Sequence, residues 1–234
     1  MTRFKLLLAL CPIVMLSSLS AATICADPTN CVLTLTQGNS GSGFGTGDFG
    51  TVDITLNTTT DVATVDVALA SGFQIINTGF PGSFGFADNL GGGLTIGNFS
   101  SSLYSGAISD ATNDQHFDGF GYANNAAATT GPKAGKGLNE VSFTVSLGTD
   151  LTNVNDIVNL FSPAGGDGPA YFVVDAFNGN TSGPGAGNTG LLSVTTGPGN
   201  QPTVPEPGTY VMIGAGLGLV GLAKLRRSRA PHSA

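Results

Sequence analysis

Regular alternation of polar and apolar residues marks the clearest strands of the chain. Between Thr51 and Asn57 every second residue is Val, Ile or Leu, and the same period recurs between Thr64 and Leu69. The polar residues 57–61, Asn-Thr-Thr-Thr-Asp, separate the two runs and favour a turn. A period of two is that of a strand with one buried face. The pattern therefore predicts an antiparallel hairpin with one wet face.

Further short apolar or alternating runs predict the remaining strands: Val32–Gln37, Gly72–Asn77, Ser83–Phe86, Leu94–Ser102, Phe117–Tyr122, Glu140–Leu147, Tyr171–Phe177 and Leu191–Thr195. The run at 171–177 is apolar on both faces except for Asp175, which indicates a central strand. Leu94–Ser102 is expected to pair with one of the two short strands before it. Ala123–Gly137 is predicted to be a loop. Leu151–Leu160 is predicted to be a short helix capped by Thr152 or Asn153.

Roughly nine to eleven short strands at near-regular spacing predict an all-β fold, an antiparallel β-sandwich of jelly-roll-like form. A β-solenoid is the rival architecture, but the chain has no fixed repeat of the length that a solenoid needs. The composition agrees with strands and turns, since the chain has 36 glycines and no tryptophan.

Charge is distributed unevenly along the chain. Residues 23–203 contain two lysines and 14 acidic residues, a net charge of −12, and six of the eight basic residues of the chain lie outside this region. Nucleic-acid binding needs a basic surface, so we do not expect this chain to bind nucleic acid. An acidic surface favours solubility outside the cell.

The N terminus has the pattern of a secretory signal peptide. Arg3 and Lys5 precede an apolar run at 6–16, and Ser20 and Ala22 occupy the −3 and −1 positions of a cleavage site. Residues 1–22 are therefore predicted to direct the chain to the Sec translocon and to be removed by signal peptidase. An uncleaved anchor is less consistent, because the apolar run is short for a bilayer.

Two cysteines remain after this cleavage, Cys25 and Cys31. In an exported chain, the simplest expectation is a disulfide that closes a small loop and holds the start of the first strand. A metal site is less consistent with two thiols that have no histidine nearby. We expect no metal and no cofactor.

The C terminus has three parts in a fixed order. The tetrapeptide Val204, Pro205, Glu206 and Pro207 comes first, an apolar run from Tyr210 to Ala223 follows, and a basic cluster of Lys224, Arg226, Arg227 and Arg229 closes it. The apolar run is predicted to be a transmembrane helix of about 21 Å, shorter than the roughly 30 Å hydrocarbon core. Extension to Leu225, snorkelling of Lys224 and local thinning of the bilayer are expected to close the gap. The basic end is expected to stay cytoplasmic, which places the preceding domain outside.

This order resembles the PEP-CTERM protein-sorting tail of exported bacterial proteins. The resemblance covers Val204 onward and implies delivery to the envelope, with processing by an exosortase, a membrane enzyme of transpeptidase type. The implied location is the outer face of the inner membrane first, and then the cell surface or the extracellular space. A sorting signal of this kind does not specify the activity of the domain that it is attached to.

Candidate catalytic and metal-binding residues are few in the exported region. His116 is its one histidine, no Gly-x-Ser-x-Gly elbow accompanies it, and it is interpreted as a loop residue. Asp53 and Asp66 are expected on the wet faces of adjacent strands, and Glu140 at a strand edge; a carboxylate pair for glycoside hydrolysis stays open, although solvated outer-face residues are the preferred interpretation. The oxygen-rich set Asp110, Asn113, Asp114 and Asp118 is interpreted as turn caps in preference to a calcium site.

The sequence thus predicts a signal peptide (1–22), a β-sandwich domain (23–196), a flexible linker (197–203), a sorting tail (204–229) and a disordered end (230–234). The leading hypothesis is a non-enzymatic envelope or extracellular-matrix protein associated with exopolysaccharide or biofilm. A carbohydrate-binding or adhesive module is the first alternative, with ice binding less favoured. A secreted hydrolase is the second alternative.

Overall fold

The structure, a computed structural model, describes residues 24–148 and 151–195. The predicted signal peptide and sorting tail lie outside the described residues. The strands within the described ranges are β1 (Asn30–Gly38), β2 (Thr46–Asn57), β3 (Val62–Leu69), β4 (Phe73–Ile75), β5 (Phe84–Phe86), β6 (Thr95–Gly97), β7 (Ser105–Ser109), β8 (Gln115–Phe117), β9 (Gly121–Ala123), β10 (Asn125–Thr130), β11 (Glu140–Ser146), β12 (Phe172–Asn178) and β13 (Thr189–Val194). Across these ranges no helix is both long and apolar enough to cross a membrane.

The hairpin predicted from the alternating pattern is confirmed as β2 and β3. The two strands pair antiparallel from Gly50 opposite Leu69 to Asn57 opposite Val62. The apolar residues of the pattern, such as Val52 and Val67, are buried, and the polar residues between them lie on the opposite face. The period of two in the sequence thus sets which face of the sheet meets the core.

The all-β, antiparallel prediction is confirmed, and eleven of the strands belong to one sheet. Their order is β6-β11-β3-β2-β1-β13-β12-β5-β10-β7, with β4 beside the far half of β12. The sheet curls until its two ends lie side by side, where the Leu94 N–H donates to Ser109 Oγ at 2.9 Å. The predicted two faces of a sandwich are therefore parts of a single, nearly closed, barrel-like sheet.

Apolar side chains fill both sides of part of this sheet. The inner core includes Phe84, Phe86, Phe143 and Phe172, and the rings of Phe86 and Phe172 stack with centroids 6.0 Å apart. Each fully buried side chain of this size contributes roughly 1.5–3 kcal/mol. A second, smaller group, here called the outer cluster, lies on the outside of the sheet: Ala87, Phe117, Phe120, Ala123, Ala126, Phe161, Ala170, Val173 and Leu191.

The outer cluster explains one difference from the prediction. A single strand was expected over 117–122, but β8 and β9 form a separate two-stranded hairpin with Phe117 opposite Gly121. Gly119 makes the turn between them with a φ of +84°, a conformation that glycine adopts without strain. The hairpin lays Phe117 and Phe120 against the outer face of the sheet.

Three other predicted elements are wrong in detail. The expected loop at 123–137 contains β10, which pairs with β5 and β7. The run Leu94–Ser102 contains β6, which pairs with β11 and not with a preceding short strand. The expected helix at 151–160 is a single 3-10 turn, Val154–Ile157, because its Asn-rich and β-branched residues favour caps and turns over α-helix. The cap itself is the predicted Asn153, whose side chain accepts a hydrogen bond from the Asn155 N–H at 2.9 Å.

Cys25 and Cys31, which the sequence pairs, are joined by a disulfide in the structure, with Cα atoms 5.2 Å apart. Both residues are buried in the inner core. The amide of Asn155 bonds both backbone groups of Cys25, accepting from its N–H at 2.8 Å and donating to its carbonyl at 3.0 Å. The disulfide thus ties the segment before β1 to the start of β1, and the Asn155 amide ties the same segment to the 3-10 turn.

Replacing both cysteines with serine is expected to lower the free energy of unfolding by about 2 kcal/mol, the loop-entropy value for a short cross-link. Urea unfolding of the exported protein measures this difference. The Asn155→Ala variant separates the amide clamp from the disulfide. Equal stability of the double-serine variant and the unchanged protein would contradict the prediction.

Candidate binding site

The two acidic residues that the sequence suggests as a pair lie together on the outer surface of the sheet. Asp53 of β2 is directly opposite Asp66 of β3 on the outer face of the sheet. Burial, together with the charge of Asp53, raises the pKa of the Asp66 carboxyl. Glu140 lies opposite Ala68, next to this row and not in it. The face also carries a cross-strand row of Thr55, Thr64 and Thr144, and the exposed Val32 of β1 lies opposite Asp53.

The oxygen-rich set does not converge on one point. Asp110 caps its own turn, since its carboxylate accepts from the N–H and hydroxyl of Thr112 at 2.9 and 3.0 Å. Asp114 bonds the neighbouring Gln115, and Asp118 lies at the β8–β9 turn. Among the described residues, no three His, Cys, Asp or Glu side chains are placed to hold a metal ion. The turn-cap interpretation is confirmed for Asp110.

His116 is on a strand and not in the predicted loop. It lies in β8 opposite Tyr122, and the two rings are 4.6 Å apart between centroids. The side chain is exposed and packs on the tyrosine ring at the surface of the hairpin.

A cleft of about 480 Å³ opens on the outer side of the sheet, next to the outer cluster. Four segments that are distant in sequence form it: the turn after β1, the loop after β4, the β8–β9 turn and the start of β13. Its lining residues are Asn39, Gly41, Ser42, Thr78, Gly79, Phe80, Asp118, Thr189 and Gly190. Of these, only Asp118 belonged to a candidate set proposed from the sequence.

Asn39 is a buried polar residue of the cleft wall that two hydrogen bonds hold in place. Its side chain is 5% exposed, and its Oδ1 accepts from the Leu191 N–H at 3.0 Å. Its backbone carbonyl accepts from Ser42 Oγ at 2.7 Å, which closes the turn. The Nδ2 atom lies on the side of Gly41, 4.0 Å from where a β-carbon at Gly41 would be. Asn39 therefore presents an amide donor at the cleft wall from a fixed position.

Asp175 holds the part of the cleft wall that Thr78 forms. It is fully buried in the central strand β12, and its Oδ2 accepts from both the N–H and the hydroxyl of Thr78, at 2.6 and 2.8 Å. The Oδ1 atom is buried without a hydrogen-bond partner in the described part of the chain. Burial raises the pKa of Asp175 to about 7, although the two bonds from Thr78 and the charge of Lys133 oppose the shift. The carboxyl thus fixes the start of the loop that carries Phe80.

Comparison with known proteins concerns the C terminus. Residues 203–228 match the family model described as the PEP-CTERM protein-sorting motif. No curated protein and no solved structure matches the chain. The match contains the predicted sorting tetrapeptide from Val204 to Pro207 and most of the basic cluster.

The chain is therefore an antiparallel all-β domain followed by a C-terminal sorting signal. The signal is a PEP-CTERM motif, which indicates an exported protein that an exosortase processes. The match confirms that the tail at 204–229 resembles a PEP-CTERM sorting tail. The helix predicted at 210–223 and the basic residues at 224–229 lie outside the described residues.

Proposed function

We propose that this chain is a non-enzymatic protein of the bacterial envelope or extracellular matrix, sorted through its PEP-CTERM tail. The observation that carries the proposal is the motif match at residues 203–228. Residues 1–22 direct the chain to the Sec translocon, and signal peptidase cleaves after Ala22. The helix at 210–223 then holds the domain at the outer face of the inner membrane until the exosortase acts near Pro205-Glu206-Pro207.

Features of the described domain support a location outside the cell. The disulfide between Cys25 and Cys31 suits an oxidising compartment. The excess of acidic residues favours solubility at an exposed surface. We propose in addition that the protein associates with exopolysaccharide or biofilm, an association that the resemblance of its tail to exported PEP-CTERM proteins favours.

Replacing Pro205, Glu206 and Pro207 with alanine is expected to abolish tail processing, because the recognition tripeptide is lost while the apolar run that holds the chain in the membrane is kept. Intact-mass analysis of the membrane and extracellular fractions measures the result. The unchanged protein should yield a form without the residues that follow the motif, and the variant should keep its full tail.

The matched control replaces two linker prolines outside the motif, Pro198 and Pro202, with alanine. This control should be processed like the unchanged protein. Retention of the complete tail by the unchanged protein, or equal processing of the motif variant and the control, would contradict the proposal.

A carbohydrate-binding or adhesive module is the second candidate, and the cleft beside Asn39 favours it. It combines hydrogen-bonding groups with a partly buried ring, which is the composition of a small-molecule site. The hydrolase alternative depends on Asp53, Asp66 and Glu140. These residues lie on the outer face of β2, β3 and β11 and do not line the cleft beside Asn39, whereas glycosidase carboxylates flank a bound sugar ring.

A further inference from the structure

We propose that the cleft between Asn39, Thr78, Phe80 and Asp118 binds one neutral sugar residue of a glycan. The inference deepens the binding-module candidate, and it rests on the proposed function only in assuming that the domain meets glycans outside the cell. The argument depends on four properties of the cleft: its polar groups, its ring, its charge and its rigidity.

The cleft offers donors and acceptors in the combination that sugar hydroxyls use. Asn39 is nine-tenths buried, and because its Oδ1 is committed to the Leu191 N–H, its Nδ2 is left as a donor on the Gly41 side of the cleft. Asp118 is exposed and brings a carboxylate acceptor, and Thr189 brings a hydroxyl that can donate or accept. A sugar hydroxyl both donates and accepts, so it can bond the amide and the carboxylate together.

Phe80 supplies an apolar surface beside these polar groups. Its side chain is partly buried against the outer cluster, and it also lines the cleft. The flat carbon–hydrogen face of a pyranose packs well on an aromatic ring, whose face is electron-rich. The cleft volume of about 480 Å³ is within the usual range for small-molecule sites. One ring with polar groups around it thus fits a single sugar residue better than an extended apolar ligand.

The charge of the domain selects among glycans. Residues 23–203 have 14 acidic side chains against two lysines, and one of those acids, Asp118, is in the cleft itself. Uronate-containing or sulfated polymers would meet repulsion at long and short range. A neutral glycan meets no such repulsion, and its hydroxyls can donate hydrogen bonds to the Asp118 carboxylate.

The cleft is held in shape before any ligand arrives. Asp175 fixes Thr78 by two hydrogen bonds, and Ser42 and Leu191 fix Asn39 by two more. A site whose walls are already ordered loses less conformational entropy on binding. The buried carboxyl of Asp175 is thereby a positioning group for the loop at 78–80.

The Gly41→Leu variant tests the proposal directly. A β-carbon at Gly41 has the Asn39 amide as its nearest neighbour at 4.0 Å, so a leucine fits the backbone and fills the cleft next to that donor. The matched control is Gly166→Leu, because a β-carbon at that exposed glycine meets nothing within 4 Å and lies outside the cleft. Asp118→Ala is the second variant and removes the acceptor from an exposed turn.

The exported protein is purified in a detergent without sugar head groups, and its binding to dextran, laminarin and galactomannan is measured by calorimetry, with alginate as the acidic polymer. We expect binding to at least one neutral glycan and not to alginate, and a Kd raised at least tenfold by Gly41→Leu and by Asp118→Ala but not by Gly166→Leu. Thermal unfolding of each variant checks that the fold is kept.

Two results would overturn the inference: no binding to any of the three neutral glycans, or binding that Gly41→Leu leaves unchanged. Neither result touches the sorting proposal, which stands or falls on tail processing. A protein that is exported and processed but binds no neutral glycan would refute the cleft inference alone.

Discussion

Replacing Gly85 with alanine is expected to lower the free energy of unfolding by about 3 kcal/mol, the upper range for overpacking of a well-packed core. Gly85 lies in β5, and a β-carbon there would overlap the Phe117 ring and lie 2.8 Å from Val173 Cγ2. Both neighbours belong to the outer cluster, so they cannot move without disturbing the β8–β9 hairpin. Urea unfolding or thermal melting of the exported protein measures the loss.

Gly97 provides the matched control. It also lies in a three-residue strand, β6, but a β-carbon there meets nothing within 4 Å. Gly97→Ala is therefore expected to be neutral or slightly stabilising, since alanine reduces the freedom of the unfolded chain. Equal stability of the two variants would show that the outer cluster does not pack tightly on β5.

The second large effect is expected from Asp175→Asn, and it depends on pH. The pKa of Asp175 is raised from 3.8 to about 7 in the folded protein. Between these values the folded state keeps a proton that the unfolded state has lost, so the contribution of Asp175 to stability falls as the pH rises from about 4 to about 7. Asparagine cannot ionise, and its side-chain oxygen can still accept the hydrogen bonds from Thr78. The variant should therefore be more stable than the unchanged protein above pH 7, by roughly 2–4 kcal/mol, and near equal at the acid end.

Unfolding free energies from pH 4 to pH 9 for both proteins isolate the contribution of Asp175, because the other carboxylates are common to both and cancel in the difference. Asp61→Asn, which removes a charge from the β2–β3 turn, serves as the control for net charge. A stability difference between Asp175→Asn and the unchanged protein that stays constant over this pH range would show that Asp175 is already ionised at the lower limit.

Much of the fold follows from local pattern, and the exceptions have physical reasons. The β2–β3 hairpin and the central position of β12 were predicted because their residues repeat with the period of a half-buried strand or are apolar on both faces. β10, with the sequence Asn-Ala-Ala-Ala-Thr-Thr, has no such period. It is a strand because β5 and β7 flank it, and such tertiary pairing overrides weak local preference.

The candidate site was harder to predict than the fold. Asp175 has a visible signal, a single acid inside an apolar strand, and its burial follows from that setting. The cleft has no such signal, because Asn39, Thr78, Asp118 and Thr189 lie far apart in sequence and meet only when the sheet curls. Closeness in sequence groups Asp118 with Asp110 and Asp114, but in the structure Asp118 lines the cleft while Asp110 caps its own turn.

The pairing of β1 with β13 has a consequence for the order in which the protein can fold. Gln37 lies opposite Ser193, so the two ends of the domain meet in the middle of the sheet. The chain is synthesised from its N terminus, and β1 must therefore wait for almost the whole domain before one of its edges is covered, which leaves an open strand edge exposed to aggregation. Only its other edge can be protected early, by the neighbouring β2. Completion of the sheet is accordingly a non-local step that needs β13, which ends at Val194, shortly before the sorting motif begins at residue 203.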